Sequence, residues 1–165
     1  MIDQAYLEEM VDNYAPIKGF NRCMINPVYR IGEFFTVTYD YDKFAEKLMK
    51  TKKIEKDEVY DYIKNNFDIK NVSFVKIFPK ETCNKDNVAL FDEDMLFCDG
   101  LDDALVGYRV GFNENKNIAV YDYDLCVASL VNNDEMSEED AMEWMSYNTM
   151  GSYVGEYTPC FMHEV

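Results

Sequence analysis

EFFTVTYDYDKFAEKLMK, residues 33–50, is echoed by NIAVYDYDLCVASLV, residues 117–131. In both stretches a run of β-branched and aromatic residues meets the tetrapeptide YDYD, at Tyr39–Asp42 and Tyr121–Asp124, and an amphipathic segment follows. Such runs favour strands, which predicts strands over 33–41 and 118–123. Alternate side chains of a strand share a face. YDYD should therefore put two rings on one side and two carboxylates on the other, with the last Asp free to cap the next helix. The following segments read as helices, the first with Phe44, Ala45, Leu48 and Met49 on one side.

The correspondence continues without a gap at an offset of 82: Leu48 falls on Leu130, Met49 on Val131, Ile54 on Met136, Tyr62 on Trp144, Ile63 on Met145 and Asn66 on Asn148. Six of the 29 paired positions from Tyr39 to Phe67 are identical. This suggests an internal repeat, 33–67 and 115–149, of two related β-α-α units. KDEVYDYIKNNF supplies the second helix of the first copy. SEEDAMEWMSYN supplies that of the second, with Ser137 as N-cap, Asp140 three residues on, Glu138 and Glu139 where the helix dipole favours acids, and Ala141, Trp144, Met145 and Asn148 on one face.

Around these units, Gln4–Tyr14 reads as a helix ended by Pro16 and Gly19. Residues 20–32, with Pro27, read as a loop or irregular strand. NVSFVKIF, residues 71–78, alternates like a strand, its inward frame open between Phe74 and Val75. DALVGYRV, residues 103–110, pairs through the turn GFNENKN with IAVYDY; Gly107 within it marks a bulge or close packing. Residues 80–103 are irregular and acidic. GSYVGEYTP is expected to pack into the core or a terminal strand, with a recognition loop as the alternative. The expected fold is α+β: one domain, 1–165, with a small, mostly antiparallel sheet flanked by helix pairs. Pairing between the two YDYD strands is open to such a sheet.

Hydrophobic residues make up 48% of the 165 residues, enough for a core. No stretch approaches the roughly 20 apolar residues of a membrane span, and the acidic start lacks the form of a signal peptide. Five widely spaced cysteines without CxxC, and a single histidine, His163, argue against a disulfide framework or zinc site; a reduced, cytoplasmic setting follows. Cys126 reads as a small buried hydrophobe.

The formal charge is −16, and it is unevenly spread. Residues 43–80 carry 10 basic and 6 acidic groups, whereas residues 81–165 carry 3 basic and 19 acidic ones. The Lys50, Lys52, Lys53, Lys56 cluster reads as a solvated turn, since it lacks a stacking platform for bases. The acidic half repels nucleic acid and anionic membrane and attracts basic surfaces. Asp40, Asp42, Asp122 and Asp124 offer oxygen ligands for a hard cation, but a DxD at a strand end serves capping as readily. No GxSxG, HExxH or GxxxxGKS motif occurs, so neither enzyme activity nor a cofactor is expected, and no metal is assigned.

ALVGYRVGF, IAVYDYD, MSEEDAMEWMSYNTMGSYVGEYTP and Cys160-Phe161 together resemble a C-terminal module of small proteins from phages and mobile elements of gut bacteria. The resemblance spans residues 103–161, about a third of the chain. As a class, small acidic phage proteins are similar to anti-CRISPR and anti-restriction inhibitors, some of them DNA mimics. This implies a binding protein acting in the host cytoplasm. It would block the basic nucleic-acid site of a defence effector such as a CRISPR or restriction nuclease, without binding nucleic acid or membrane itself. Asp92, Glu93, Asp94, Asp99, Asp102, Asp103, Glu138, Glu139 and Glu143 would face Lys and Arg of the partner, with Tyr153 and Tyr157 as anchors. The alternative is a non-catalytic phage accessory or assembly protein that forms homo-oligomers.

Overall fold

A computed structural model describes residues 17–31, 34–112, 116–150 and 152–164. The helix expected over Gln4–Tyr14 and the tip of the GFNENKN turn lie outside them. The chain is α+β. Six strands close into a barrel in chain order: β1 Met24–Ile31, β2 Phe34–Asp40, β3 Val72–Ile77, β4 Leu105–Arg109, β5 Ile118–Asp122 and β6 Cys160–Glu164. Four of the six pairings are antiparallel; β2–β3 and β5–β6 are parallel. A parallel pair needs a crossover, and two helices supply each one: α1 Tyr41–Lys52 and α2 Val59–Asn66, then, after the short α3 Lys85–Ala89, α4 Tyr123–Asn133 and α5 Glu138–Met145. Among the described residues no helix is long and apolar enough to cross a membrane.

A half turn about the barrel axis carries β1, β2 and β3 onto β4, β5 and β6 with their directions preserved. The β2 and β5 strands therefore stand on opposite sides of the barrel and do not pair. The local chemistry follows the same half turn. Tyr39 and Tyr121 are both fully buried. Each accepts a hydrogen bond on its hydroxyl from a backbone N–H ahead of its hairpin, Ile17 at 2.6 Å and Cys98 at 2.9 Å. Each ring stacks on a phenylalanine of the next strand, Phe74 at 5.6 Å and Phe161 at 5.7 Å, with interplanar angles of 27° and 28°. The straps holding Ile17 and Cys98 turn through left-handed glycines, Gly19 at φ 89° and Gly100 at φ 79°. They then bury Phe20 and Leu101 and end in 3-10 turns, Asn21–Cys23 and Asp102–Ala104. Two positive-φ glycines in one setting follow from the missing Cβ.

The YDYD motif is a strand-to-helix junction, and the alternation stops at its first Asp. Asp40 and Asp122, rather than the last Asp of each motif, are the N-caps. Their carboxylates accept from the backbone N–H of Lys43 (3.1 Å) and Leu125 (3.0 Å). The second Tyr and Asp already belong to the helix. Helical spacing then buries Phe44, Ala45 and Leu48 in α1 and Cys126, Val127 and Leu130 in α4. A Glu55–Glu58 capping box precedes α2, and the Ser137 hydroxyl accepts from the Asp140 N–H at 3.1 Å to start α5.

Three hydrophobic clusters result. The barrel interior holds Val75, Ile118, Val120, Cys160 and Met162, with Ile25, Ile77 and Val106 beside them, as expected of a small barrel filled by side chains. A second cluster lies under α1 and α2, around Phe44, Leu48, Ile63 and Phe74. A third lies under α4 and α5, around Leu101, Tyr121, Cys126, Leu130 and Met145. Both faces of the sheet are thus covered, which settles the frame of β3: Val75 and Ile77 join the interior and Phe74 faces the helices. Residues 20–32 form the 3-10 turn and β1, whose register shifts on either side of Asn26 and before Tyr29; Pro27 sits in that irregularity, where a missing N–H costs no ladder bond. Gly107 lies at a bulge opposite β5, where a Cβ would stand 1.9 Å from the Lys76 carbonyl oxygen.

Candidate functional site

The two units share their backbone plan and differ in charge. Residues 17–77 carry 12 basic and 9 acidic side chains, net +3; residues 98–162 carry 2 basic and 13 acidic ones, net −11. The core positions of α1 and α4 match one for one, so the difference is on their outer surfaces. In the second unit the acidic turn Asp102–Ala104 packs on α4, and α5 packs on α4 from the other side. Asp99, Asp102, Asp103, Glu138, Glu139 and Glu143 are all exposed. Lys85 bridges Asp102 at 2.7 Å and Asp99 at 3.7 Å. Asp103, Glu138, Glu139 and Glu143 pair with no cation among the described residues. Glu138, Glu139 and Asp140 also sit in the first turn of α5, where the helix dipole favours acids.

The turn 134–137 joins α4 and α5, which pack on each other. Leu125 in the first turn of α4, Met142 in the last turn of α5 and Tyr147 just after it are exposed. Tyr153, 78% exposed, and Val154 follow. In the first unit the equivalents of Leu125 and Met142 are Lys43 and Tyr60. Among the described residues, the exposed large hydrophobics of the two units all fall in the second. Asn148 belongs to a π-helical turn after α5 and is exposed, so it does not share the buried face of Ala141 and Met145.

The remaining sequence-predicted residues fall elsewhere. Glu93 and Asp94 are exposed, but Asp92 is half-buried and locally engaged: it accepts from the N–H groups of Asp94 and Asn117 and from the Tyr157 hydroxyl. That phenol is pushed up to about 12 by burial, by the bond to Asp92 and by the charges of Asp92, Asp94 and Glu156. Lys116 lies over its ring at 5.7 Å. GSYVGEYTP is neither strand nor core, because the chain there crosses the surface and β6 begins only at Cys160. Tyr153 is accordingly a free surface ring and Tyr157 a locally held one. Asp42, offered by sequence as a cation ligand, pairs with Lys76 at 2.5 Å. Among the described residues no group of three His, Cys, Asp or Glu side chains gathers as a metal site.

A tyrosine-lined pocket of about 370 Å³ was not legible in the sequence. Tyr41, Tyr60, Tyr108, Asp92 and Asn117 line it. The Tyr60 hydroxyl donates to the Gly111 carbonyl at 2.7 Å, and Asn117 ties Gly111 to Phe91. Burial pushes the Tyr108 phenol up to about 12, helped by Tyr41 and Asp42. The residues come from α1, α2, β4 and two loops, so no spacing pattern announces them. Comparison with protein-family models, with curated proteins and with solved structures finds no match.

Proposed function

We propose that the protein is a non-catalytic binding protein whose acidic second unit docks on the basic nucleic-acid-binding surface of another protein and occludes it. The observation that carries this reading is the −11 charge on one of two units built to the same plan. A shared backbone with a one-sided surface indicates that the charge belongs to the surface's work rather than to folding. Free carboxylates of Asp103, Glu138, Glu139 and Glu143 meet Lys and Arg of the partner, while Leu125, Met142, Tyr147 and Tyr153 provide the apolar contacts that charge alone lacks. The resemblance to small phage proteins makes a host CRISPR or restriction nuclease the partner class to test first. Such a partner places the protein in the host cytoplasm.

The test is a pull-down from lysates of bacteria carrying such nucleases, with wild type and the Glu138→Lys/Glu139→Lys/Glu143→Lys variant, washed at low and high salt. A nuclease held by wild type, released by salt or by added duplex DNA and missed by the variant supports the reading, because surface charge contacts are screened over about 8–10 Å at physiological salt. Recovery of the chain alone favours an oligomeric accessory or assembly role, for which the opposite charges of the two units also supply complementary surfaces.

A further inference from the structure

Beyond β4, Val110 and Gly111 separate two concavities, and the one opposite the tyrosine pocket is basic. It measures about 310 Å³, and its walls include Ile69, Lys70, Ser73, Phe74, Arg109 and Phe112. Arg109 ends β4 level with Val75 and Ile118, both of the barrel interior. It stands close enough to Cys160 for its charge to act on that buried thiol. Arg109 is half-buried, and no carboxylate among the described residues pairs with it or with Lys70. The acid nearest Lys70 in sequence, Asp68, is turned to the backbone N–H of Lys70 and the amide of Asn71; the one nearest Arg109, Glu114, lies outside the described residues.

The chain holds 32 acidic residues against 16 basic ones, so a partly desolvated guanidinium with no carboxylate partner among the described residues is unexpected. Removing a cation from water without a partner is unfavourable. A second cation beside it raises that cost, and an incoming anion offsets it. The guanidinium fork matches a carboxylate or phosphate through two parallel hydrogen bonds. Ile69 and Val72, both half-buried, add apolar wall beside the Ser73 hydroxyl, with the core residues Phe74 and Phe112 behind them. The volume lies at the lower end of the range for small-molecule sites. The geometry points to a binding site for a small organic oxyanion, its carboxylate or phosphate on Arg109 and Lys70 and its body beside Ile69 and Val72. This site lies in the barrel mouth and does not depend on the acidic docking surface.

Titration calorimetry of the whole chain with phenyl phosphate and with benzoate, each against sodium chloride at equal ionic strength, tests it. The expected result is saturable millimolar or tighter binding of at least one probe, weakened five-fold or more in Lys70→Gln and in Arg109→Gln and unchanged in Lys50→Gln. The preferred probe identifies the head group. Lys70 is exposed, so its variant keeps the fold; circular dichroism checks the Arg109 variant. No binding beyond the chloride control, or binding that survives both substitutions, overturns the proposal.

Discussion

Tyr39 and Tyr121 each combine a buried ring with a hydroxyl that serves one backbone N–H. Removing only the oxygen keeps the stacking and orphans the donor, which costs roughly 1–3 kcal/mol. Tyr121→Phe and Tyr39→Phe should therefore lower the melting temperature by similar amounts, since their settings match. A fall confined to one of them would contradict the shared geometry. Gly107→Ala drives a Cβ into the Lys76 carbonyl, a backbone atom with little room to move. Overpacking of this kind costs about 1–3 kcal/mol, so thermal denaturation should show a clear loss, whereas Gly100→Ala meets no neighbouring atom and is penalised by its φ alone. Burial raises the Cys126 thiol from its ordinary 9.0 to about 12 and Cys98 to about 11. The folded chain holds these protons longer than the unfolded one does. The stability they contribute is complete below pH 9 and is lost as pH rises through 9 to 12. A circular-dichroism titration should show unfolding beginning in that window and no comparable dependence on these groups below it.

The helices owe their starts to single side chains. Asp40→Ala and Asp122→Ala each remove a cap and should cost about 1 kcal/mol in a denaturant melt. The caps are where sequence and structure meet most closely. Strands β2, β3, β4 and β5 and helices α1, α2, α4 and α5 were legible because each carries either a run of β-branched and aromatic residues or a helical apolar stripe. β1 was legible only as one of two readings, loop or irregular strand, since Pro27 interrupts its pattern. The repeat appeared to begin at Glu33, yet the geometry repeats from Ile17. The straps IKGFNRC and CDGLDDA share only their glycine, and the span from strap to YDYD is one residue longer in the second unit (Cys98 to Tyr121) than in the first (Ile17 to Tyr39), which moves the offset from 81 to 82. The acidic residues of the candidate surface could be named from sequence because charge runs are local. The tyrosine pocket and the Arg109–Lys70 concavity could not, because each is assembled across elements distant in sequence. The segment holding Tyr153 and Tyr157 differs from expectation for a related reason: its alternating aromatics read as a strand, but residues 152–159 cross the surface as turn and coil.

Half of the barrel repeats the other half, and the β3–β4 seam has the same antiparallel sense as the β6–β1 seam. A fragment ending after β3 therefore exposes two strands whose natural complements resemble each other. Residues 17–80 alone should form a dimer that restores a six-stranded barrel, measurable by light scattering. The second unit alone should fail to do so at low salt, because two copies would bring a charge of −22 together. A monomeric, folded first fragment would show that the seams are not equivalent. The same asymmetry gives the intact molecule a strong electric dipole with its negative end on the second unit.

Because every strand of the barrel is hydrogen-bonded on both sides, no sheet margin stands open among the described residues. A partner cannot bind by adding a strand of its own, the mode in which main-chain bonds supply affinity almost regardless of sequence. Recognition must be read entirely from side chains displayed on helices and loops. That makes it both editable, since surface residues can change without touching the ladder, and safe, since crowded copies offer one another no template for growing into fibres.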